Sequence, residues 1–300
     1  MKILITGASG LVGSHLTDFL IGKGHEVAHL GRKKNTSGKT STYTWDLENG
    51  TVDTDAIHWA EAIIHLAGAN IGDGRWSEAR KKEIIDSRVK GPQLLSKVLR
   101  HEKNIPKVFV SASGEGWYGK EITETVFKEN DAPGKDFLSE VCKKWEGAAD
   151  LMEEIGMRTV KLRIGVVLAK EGGALPRLCG PVKWCVGSPL ASGKQWMPWI
   201  HIDDLCALFL KAVEDEKMEG VYNASASEHS TNKDFVKTIG KVLHRPVFFP
   251  RVPEFILNMM FGEQASIVTG GSRISNEKLL NSGFVFKYNQ LESALKDLLE

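Results

Sequence analysis

Lys2-Ile-Leu-Ile-Thr6-Gly7-Ala-Ser-Gly10-Leu-Val-Gly13 opens the chain, and this stretch decides the fold. Its first residues form a short apolar, β-branched run, which predicts a strand. Glycines follow at positions 7, 10 and 13, and the residues from Leu11 to Gly22 read as a helix that Gly24 can terminate in a left-handed conformation. Each glycine has a distinct physical use. Gly7 permits the tight turn, Gly10 lets backbone N–H groups approach a ligand, and Gly13 lets the helix pack close to the strand. Ser9, Leu11 and Val12 complete a turn at a helix N-terminus, where partial positive charge favours a pyrophosphate. A glycine triplet alone is weak evidence. With a strand before it and a helix after it, the triplet reads as a dinucleotide-binding loop.

The next strand, Glu26–Leu30, runs into Gly31-Arg32-Lys33-Lys34. A site selective for NAD(H) places an acid about 20 residues past the loop to bind the ribose 2′-hydroxyl, whereas an arginine there accommodates a 2′-phosphate. Here a glycine and three bases stand instead, and the guanidinium fork suits phosphate oxygens. The expected cofactor is NADP(H), with Gly31, Arg32 and Lys33 at its 2′-phosphate.

Further strands are expected at Ala62–Leu66, Lys107–Ser111 and Thr159–Arg163, and helices at Glu78–Arg100 and Leu138–Ile155. Continuously apolar strands alternating with helices predict an α/β fold, a Rossmann-type doubly wound parallel sheet. Beyond about residue 165, Gly172-Gly173, the Gly/Pro-rich Gly180–Gly193 and the prolines at 246, 250 and 253 interrupt the chain more often. Residues 1–170 are expected to form the NADP-binding domain, with its last strands contributed by about 196–225. Residues 171–195 and 226–300 are expected to form a smaller C-terminal substrate lobe, ending in an amphipathic helix. Lysine and arginine (39) nearly balance aspartate and glutamate (38), so no general field attracts nucleic acid or anionic membrane. The Arg32–Lys34 cluster lacks the aromatic interleaving of a nucleic-acid surface. Cys142, Cys179, Cys185 and Cys206 have no metal-binding spacing and read as reduced thiols. No apolar run approaches the ~18 residues of a spanning helix. With a strand beginning at Met1 and no leader pattern, the expected location is cytoplasmic, as a monomer or homodimer acting on a small molecule.

The GASGLVG loop, WDLEN around Asp46, IIHLAGANI (63–71), VSASGEGWYG (110–119), KLRIGVVL (161–168) and WIHIDDL (199–205) together resemble the extended short-chain dehydrogenase/reductases. Within them, RWSEARKKEIIDSRV (75–89), DFLSEVCKKWE (136–146), GGALPRL (172–178), SGKQWMPWIHIDDL (192–205) and HRPVFFPRVP (244–253) are similar to the epimerase-like branch of NAD-dependent epimerase/dehydratase proteins. The resemblance runs over essentially the whole chain. It implies that Asp46 and Leu47 lie against the adenine and that Leu66, Ala67 and Gly68 line the cofactor cleft. It places Glu83 and Arg88 on a helix reaching the cofactor, and Arg163 and Val166 beside the nicotinamide. Asp46 also suits a turn-stabilising role, and Glu83 and Arg88 an exposed helical face.

Members of this superfamily move a proton with a Tyr-x-x-x-Lys pair and a preceding Ser or Thr. Aligned on Glu146, the chain has Leu138 in place of the tyrosine and Cys142 in place of the lysine. Ser113 and Tyr118, after the strand ending near Ser111, are the substitute catalytic candidates. Lys143 and Lys144 are near the missing lysine in sequence but on other helix faces. His201 reads as a structural histidine, Asp203 and Asp204 as caps for a helix over Leu205–Val213, and Trp184–Trp199 as a substrate wall or lobe core. The expected activity is that of an NADP(H)-dependent oxidoreductase or epimerase-like enzyme acting on a small carbonyl or hydroxyl compound, and the family resemblance implies a nucleotide sugar as one such substrate. The loss of tyrosine and lysine together leaves a non-catalytic NADP(H)-binding sensor or regulatory protein as the alternative.

Overall fold

The computed structural model describes residues 1–33 and 40–300, so Lys34 of the basic cluster lies outside the described residues. The described residues form twelve strands: β1 Lys2–Thr6, β2 Glu26–Gly31, β3 Ser41–Asp46, β4 Thr51–Val52, β5 Ala62–His65, β6 Val108–Gly114, β7 Val126–Phe127, β8 Arg158–Ile164, β9 Val166–Leu168, β10 Trp199–His201, β11 Gly220–Ala224 and β12 Arg273–Ile274. Eight of them form one sheet in the order β11-β8-β6-β5-β1-β2-β3-β4, parallel except for the β3–β4 pair. The remaining four make two short parallel pairs, β9 with β10 and β7 with β12.

The helices are α1 Leu11–Gly22, α2 Thr54–Trp59, α3 Glu78–Leu99, α4 Phe137–Glu153, α5 Leu175–Lys183, α6 Ile202–Glu214, α7 Asn232–Val242, α8 Glu254–Phe261, α9 Ser266–Thr269, α10 Glu277–Asn281 and α11 Leu291–Leu299. They cover both faces of the large sheet, which explains the unbroken apolar runs. Ile3 and Ile5 of β1 point into a cluster with Leu16 and Leu20 of α1 and Leu205, Leu208 and Phe209 of α6. Leu4 points the other way, toward Leu95 and Leu99 of α3 and Met152 of α4. The same period-two division recurs in β6, with Val108 and Val110 on the α1/α6 side and Phe109 on the α3/α4 side. The sheet is therefore doubly wound, with its strand order running out in both directions from β1 and β5.

A second apolar cluster joins α5, α7 and α11 around the buried Trp199, with Phe235, Ile239, Leu291 and Leu295 at its centre. Trp184, by contrast, is exposed, so the tryptophan-rich stretch is split between core and surface. The helix after WIHIDD starts earlier than its acidic pair suggested. His201 is the N-cap of α6 and its Nδ1 accepts from the Asp203 N–H, while Asp203 and Asp204 sit inside the first turn. The Asp204 carboxylate instead accepts from the backbone N–H groups of Lys287 and Tyr288, tying down the segment that leads into α11. No helix among the described residues is long and apolar enough to cross a membrane.

Candidate cofactor and active site

At the carboxyl edge of the sheet, β1 turns sharply into α1. Gly7 has φ +69°, and a Cβ there would fall 2.6 Å from the Leu66 carbonyl carbon. A Cβ on Gly13 would fall 2.5 Å from the Gly7 oxygen. Both positions exclude side chains because backbone occupies the space. Gly10 differs: its Cβ would meet nothing nearer than 3.3 Å, and the residue is exposed. The N-terminus of α1 has no side-chain cap and no acidic residue in its first turn, which leaves N–H groups and positive partial charge for an anion. Leu11 packs beneath the Gly172-Gly173 turn, 3.0 Å from where a Cβ on Gly173 would stand. Gly31 ends β2 beside this loop, and Arg32 and Lys33 follow it, exposed.

The loop is braced from behind by two residues that no local motif indicates. Thr6 Oγ1 lies 2.8 Å from His65 Nδ1 and accepts from the Leu66 and Ala67 N–H groups at 3.3 Å. His65 is fully buried, stacks on Phe109 and directs Nε2 to the Arg88 carbonyl at 3.4 Å. Burial holds its pKa down at about 4. The neutral ring is the native form, so its contribution to stability is complete above the ordinary pKa of 6.5 and is lost as pH falls from there to about 4. Acidification through that window should cost up to about 3 kcal/mol through this one ring. Thermal melts of His65→Asn should show a flatter pH dependence between 6.5 and 4, and an unchanged slope would sink the assignment.

Arg88, on α3, lies against Gly68, whose Cβ would stand 3.1 Å from the Arg88 Cζ. One guanidinium nitrogen donates to the Ala69 and Ile84 carbonyls, the group sits over the Trp145 ring, and its buried Nε has no partner among the described residues. Burial lowers its pKa to about 10, so it stays a cation. Glu83, five residues earlier, is exposed and paired with Arg80 at 2.7 Å. Asp46 directs its carboxylate to its own turn, accepting from the N–H groups of Glu48 and Asn49 and from the Asn49 amide. These bonds hold its pKa below the usual carboxylate value. Leu47 packs at the edge of the α3/α4-side core.

Ser113 and Tyr118 belong to a buried polar network on the same face of the sheet. Register aligns Ser113 of β6 with Arg163 of β8, and Arg163 with Asn223 of β11. From α4, Glu146 accepts from Ser113 Oγ at 2.7 Å and from Arg163 Nε and Nη2 at 2.8 and 2.9 Å. Arg163 Nη1 donates to the Tyr118 oxygen at 2.9 Å and to the Glu129 carbonyl, and Tyr118 donates to Asn223 Oδ1 at 2.7 Å. Burial pushes the Tyr118 phenol up to about 12. That value suits a neutral hydrogen-bond donor and not a group exchanging protons near neutral pH. Ser113, through Glu146, and Tyr118 directly are thus engaged in holding Arg163, which is itself only 2% exposed. Val166 starts β9, where its N–H donates to the Pro198 carbonyl at 2.7 Å.

The family model described as the NAD dependent epimerase/dehydratase family matches residues 3–225, and a domain of unknown function (DUF1731) matches residues 252–298. The chain belongs to the NAD-dependent epimerase/dehydratase family. The epimerase family protein YfhF of Bacillus subtilis is 36% identical over 300 residues, covering 100% of this chain and 98% of that protein. Human epimerase family protein SDR39U1 is 34% identical, with 100% of both chains covered. A crystal structure of the human protein (isoform 2) with NADPH matches with a TM-score of 0.89 at 33% identity over 99% of both chains. A nucleoside-diphosphate sugar epimerase from Corynebacterium glutamicum matches at 0.81 and 29% identity, over 100% of this chain and 58% of that one.

Leu138 and Cys142 of α4 face the end of β6. Cys142 Sγ donates to the Gly114 carbonyl at 3.4 Å, and a Cβ on Gly116 would stand 3.1 Å from Leu138 Cβ. Burial, reinforced by Glu146, pushes the Cys142 thiol up to about 12, so it is an inert filler at neutral pH. No cluster of three or more His, Cys, Asp or Glu side chains able to hold a metal is present among the described residues.

Proposed function

We propose that the chain is an NADP(H)-dependent oxidoreductase or epimerase-like enzyme acting on a small carbonyl or hydroxyl compound. One observation carries the cofactor choice. β2 ends at Gly31 and runs into Arg32-Lys33, beside a glycine loop whose packing excludes side chains at Gly7 and Gly13. Cations stand where an acid would select the 2′-hydroxyl. The NADPH in the human relative's crystal supports the same choice.

Gly7, Ser9, Gly10, Leu11, Val12 and Gly13 would cradle the pyrophosphate, with Arg32 and Lys33 on the 2′-phosphate. Asp46 and Leu47 would edge the adenine, Asp46 through its turn. Leu66, Ala67 and Gly68 would form the wall of the cleft, backed by the Arg88 cation, whose unpartnered Nε is the orphan a bound ligand or water would satisfy. Glu83 would act only through Arg80, and Arg163 and Val166 by fixing the backbone at the nicotinamide end. When bound, the dinucleotide supplies a hydride donor or acceptor. Ser113 and Tyr118 would position β6 and β8 without exchanging protons. Residues 1–170 with 196–225 would be the cofactor part, and the rest the substrate lobe. A nucleotide-sugar substrate rests on family names and fold alone.

Fluorescence titration with NADPH and NADH tests the cofactor choice. Arg32→Ala should weaken NADPH by roughly 10–100-fold, the equivalent of one or two strong phosphate hydrogen bonds, and change NADH by less than about twofold. Tighter NADH binding, or equal losses for both, would overturn it. The replacement of the Tyr/Lys pair by Leu138 and Cys142 favours a second reading, a non-catalytic NADP(H) sensor. Stoichiometric NADPH binding with no oxidation by any of a broad panel of aldehydes, ketones and quinones would decide for the sensor.

A further inference from the structure

We propose that Glu115 is the proton-transfer residue of this site, taking over the role that Leu138 and Cys142 have vacated. The inference rests on the oxidoreductase reading above and deepens it.

Glu115 is the first residue beyond the carboxyl end of β6 and opens the short turn Glu115–Tyr118. Strand ends on this edge of a doubly wound sheet are where ligands gather. Its neighbours fix its place more narrowly. A Cβ on Gly114 would stand 3.5 Å from Cys142 Sγ, and one on Gly116 would meet Leu138 Cβ at 3.1 Å. Glu115 therefore stands between two glycines packed on Cys142 and Leu138, the positions where the family resemblance puts the lysine and the proton donor. Ser139 Oγ, one turn into α4, clamps this turn by donating to the Gly116 carbonyl at 3.0 Å.

The other polar groups here are already engaged. Ser113 and Tyr118 bind Glu146 and Asn223, and Cys142 binds the Gly114 carbonyl. The Glu115 carboxyl has no hydrogen bond or ion pair among the described residues, and burial followed by the nearby Asp136 carboxylate raises its pKa to about 7. The charged and titratable groups around it are Asp136 at the N-cap of α4, Cys142 six residues further on, and Arg88 of α3, whose charge is felt at Cys142. A carboxyl that is half protonated near neutrality can both give and accept a proton.

In reduction, the O–H bond of the Glu115 carboxyl breaks and an O–H bond forms on the substrate carbonyl oxygen. The carbonyl carbon is reduced by the dinucleotide, C=O becomes CH–OH, and water returns the proton to the carboxylate. In the oxidative direction Glu115 accepts the hydroxyl proton instead.

Two readouts test this. In the first, ¹³C-glutamate NMR of the ligand-free protein should show one carboxyl titrating near pH 7 that vanishes in Glu115→Gln. If that signal titrates in the ordinary range near ~4.3, the proposal falls, whatever the activity. In the second, single-turnover oxidation of bound NADPH by 9,10-phenanthrenequinone, aryl aldehydes and 1,2-diketones is followed at 340 nm. Glu115→Gln should slow the reactive members by about 100-fold or more with NADPH affinity unchanged, and Glu115→Asp should recover part of the rate. The wild-type reductive rate should fall as pH rises through 7, and the variant's should not. Equal rates in wild type and Glu115→Gln would overturn the role of Glu115 and leave the oxidoreductase reading standing. A wild type that binds NADPH but turns over no member of the panel would overturn that reading, and the proposal with it.

Discussion

Replacing Glu146 by alanine should lower the free energy of unfolding by about 3–5 kcal/mol, the cost of leaving one member of a buried ion pair alone. For a chain of this size that corresponds to a fall in Tm of roughly 6–15 °C. Glu146 accepts three hydrogen bonds, one from Ser113 and two from Arg163, and its removal strands a guanidinium that is 2% exposed. Arg163 stacks on the Trp117 ring, its Cζ 3.8 Å from the centroid, and holds the Tyr118 oxygen, so the damage should spread into the turn that carries Glu115. Ser113→Ala should cost far less, about 1 kcal/mol, because one neutral donor is lost and two strong acceptor contacts remain.

A paired replacement separates charge from packing. Glu146→Leu together with Arg163→Met removes both charges and keeps most of the volume, and it should recover most of the stability lost by Glu146→Ala alone. The double variant should also test what the network is for. If it is as stable as wild type yet binds NADPH less tightly, the ion pair serves the geometry of the β6 and β8 ends more than the fold. A loss below about 1 kcal/mol for Glu146→Ala would show that Arg163 finds water or another acceptor, and the network would then carry no special weight.

How far the sequence exposed these features follows from the range over which each acts. β1, β5 and β6 were legible because both faces are covered and their runs are mostly apolar, and β2 and β8 because apolar residues alternate along them with the polar ones. β3 was not anticipated: Ser41-Thr-Tyr-Thr-Trp-Asp46 is mostly polar, and it is a strand because it pairs with β2 and buries Trp45. The start of α6 was misplaced because aspartate is a common cap, whereas here a histidine ring nitrogen does that job two residues before Asp203. The turn at Gly7 and the close packing at Gly13 were legible since their signal is contained in seven residues. The network of Ser113, Tyr118, Glu146, Arg163 and Asn223 spans separations of 17 to 105 residues and depends on strand register, which no local spacing encodes. Reading Ser113 and Tyr118 as catalytic candidates placed them at the correct strand end but not in their hydrogen bonds. Glu115 had a visible signal, an acid next to the end of an apolar strand in SASGEGWYG, and Thr6 with His65 had none.

Gly13→Ala should reduce NADPH affinity by about 100-fold or more and also lower stability, whereas Gly10→Ala should weaken NADPH with little effect on the fold. The contrast comes from what each added methyl would meet. At Gly13 the new carbon would sit 2.5 Å from the Gly7 oxygen and 2.6 Å from Ala8 Cα, both backbone atoms, so α1 must move away from the loop it is meant to present. Strain of this kind costs on the order of 1–3 kcal/mol, and a displaced helix N-terminus also loses its N–H contacts to phosphate. Tenfold in affinity corresponds to about 1.4 kcal/mol, so the two effects together reach the expected loss. At Gly10 the nearest atom, the Gly7 oxygen, lies 3.3 Å away, so a shift of a few tenths of an ångström accommodates the methyl, and the residue is exposed where a pyrophosphate would approach. Its effect should therefore appear in the NADPH titration and not in the melting curve. Gly7→Ala is the stricter variant, because φ +69° and a backbone carbon at 2.6 Å penalise it twice, and it should resemble Gly13→Ala. If Gly10→Ala proved as destabilising as Gly13→Ala, or if all three bound NADPH normally, the loop would be a packing element between β1 and α1, and the cofactor would have to be sought elsewhere on the carboxyl edge.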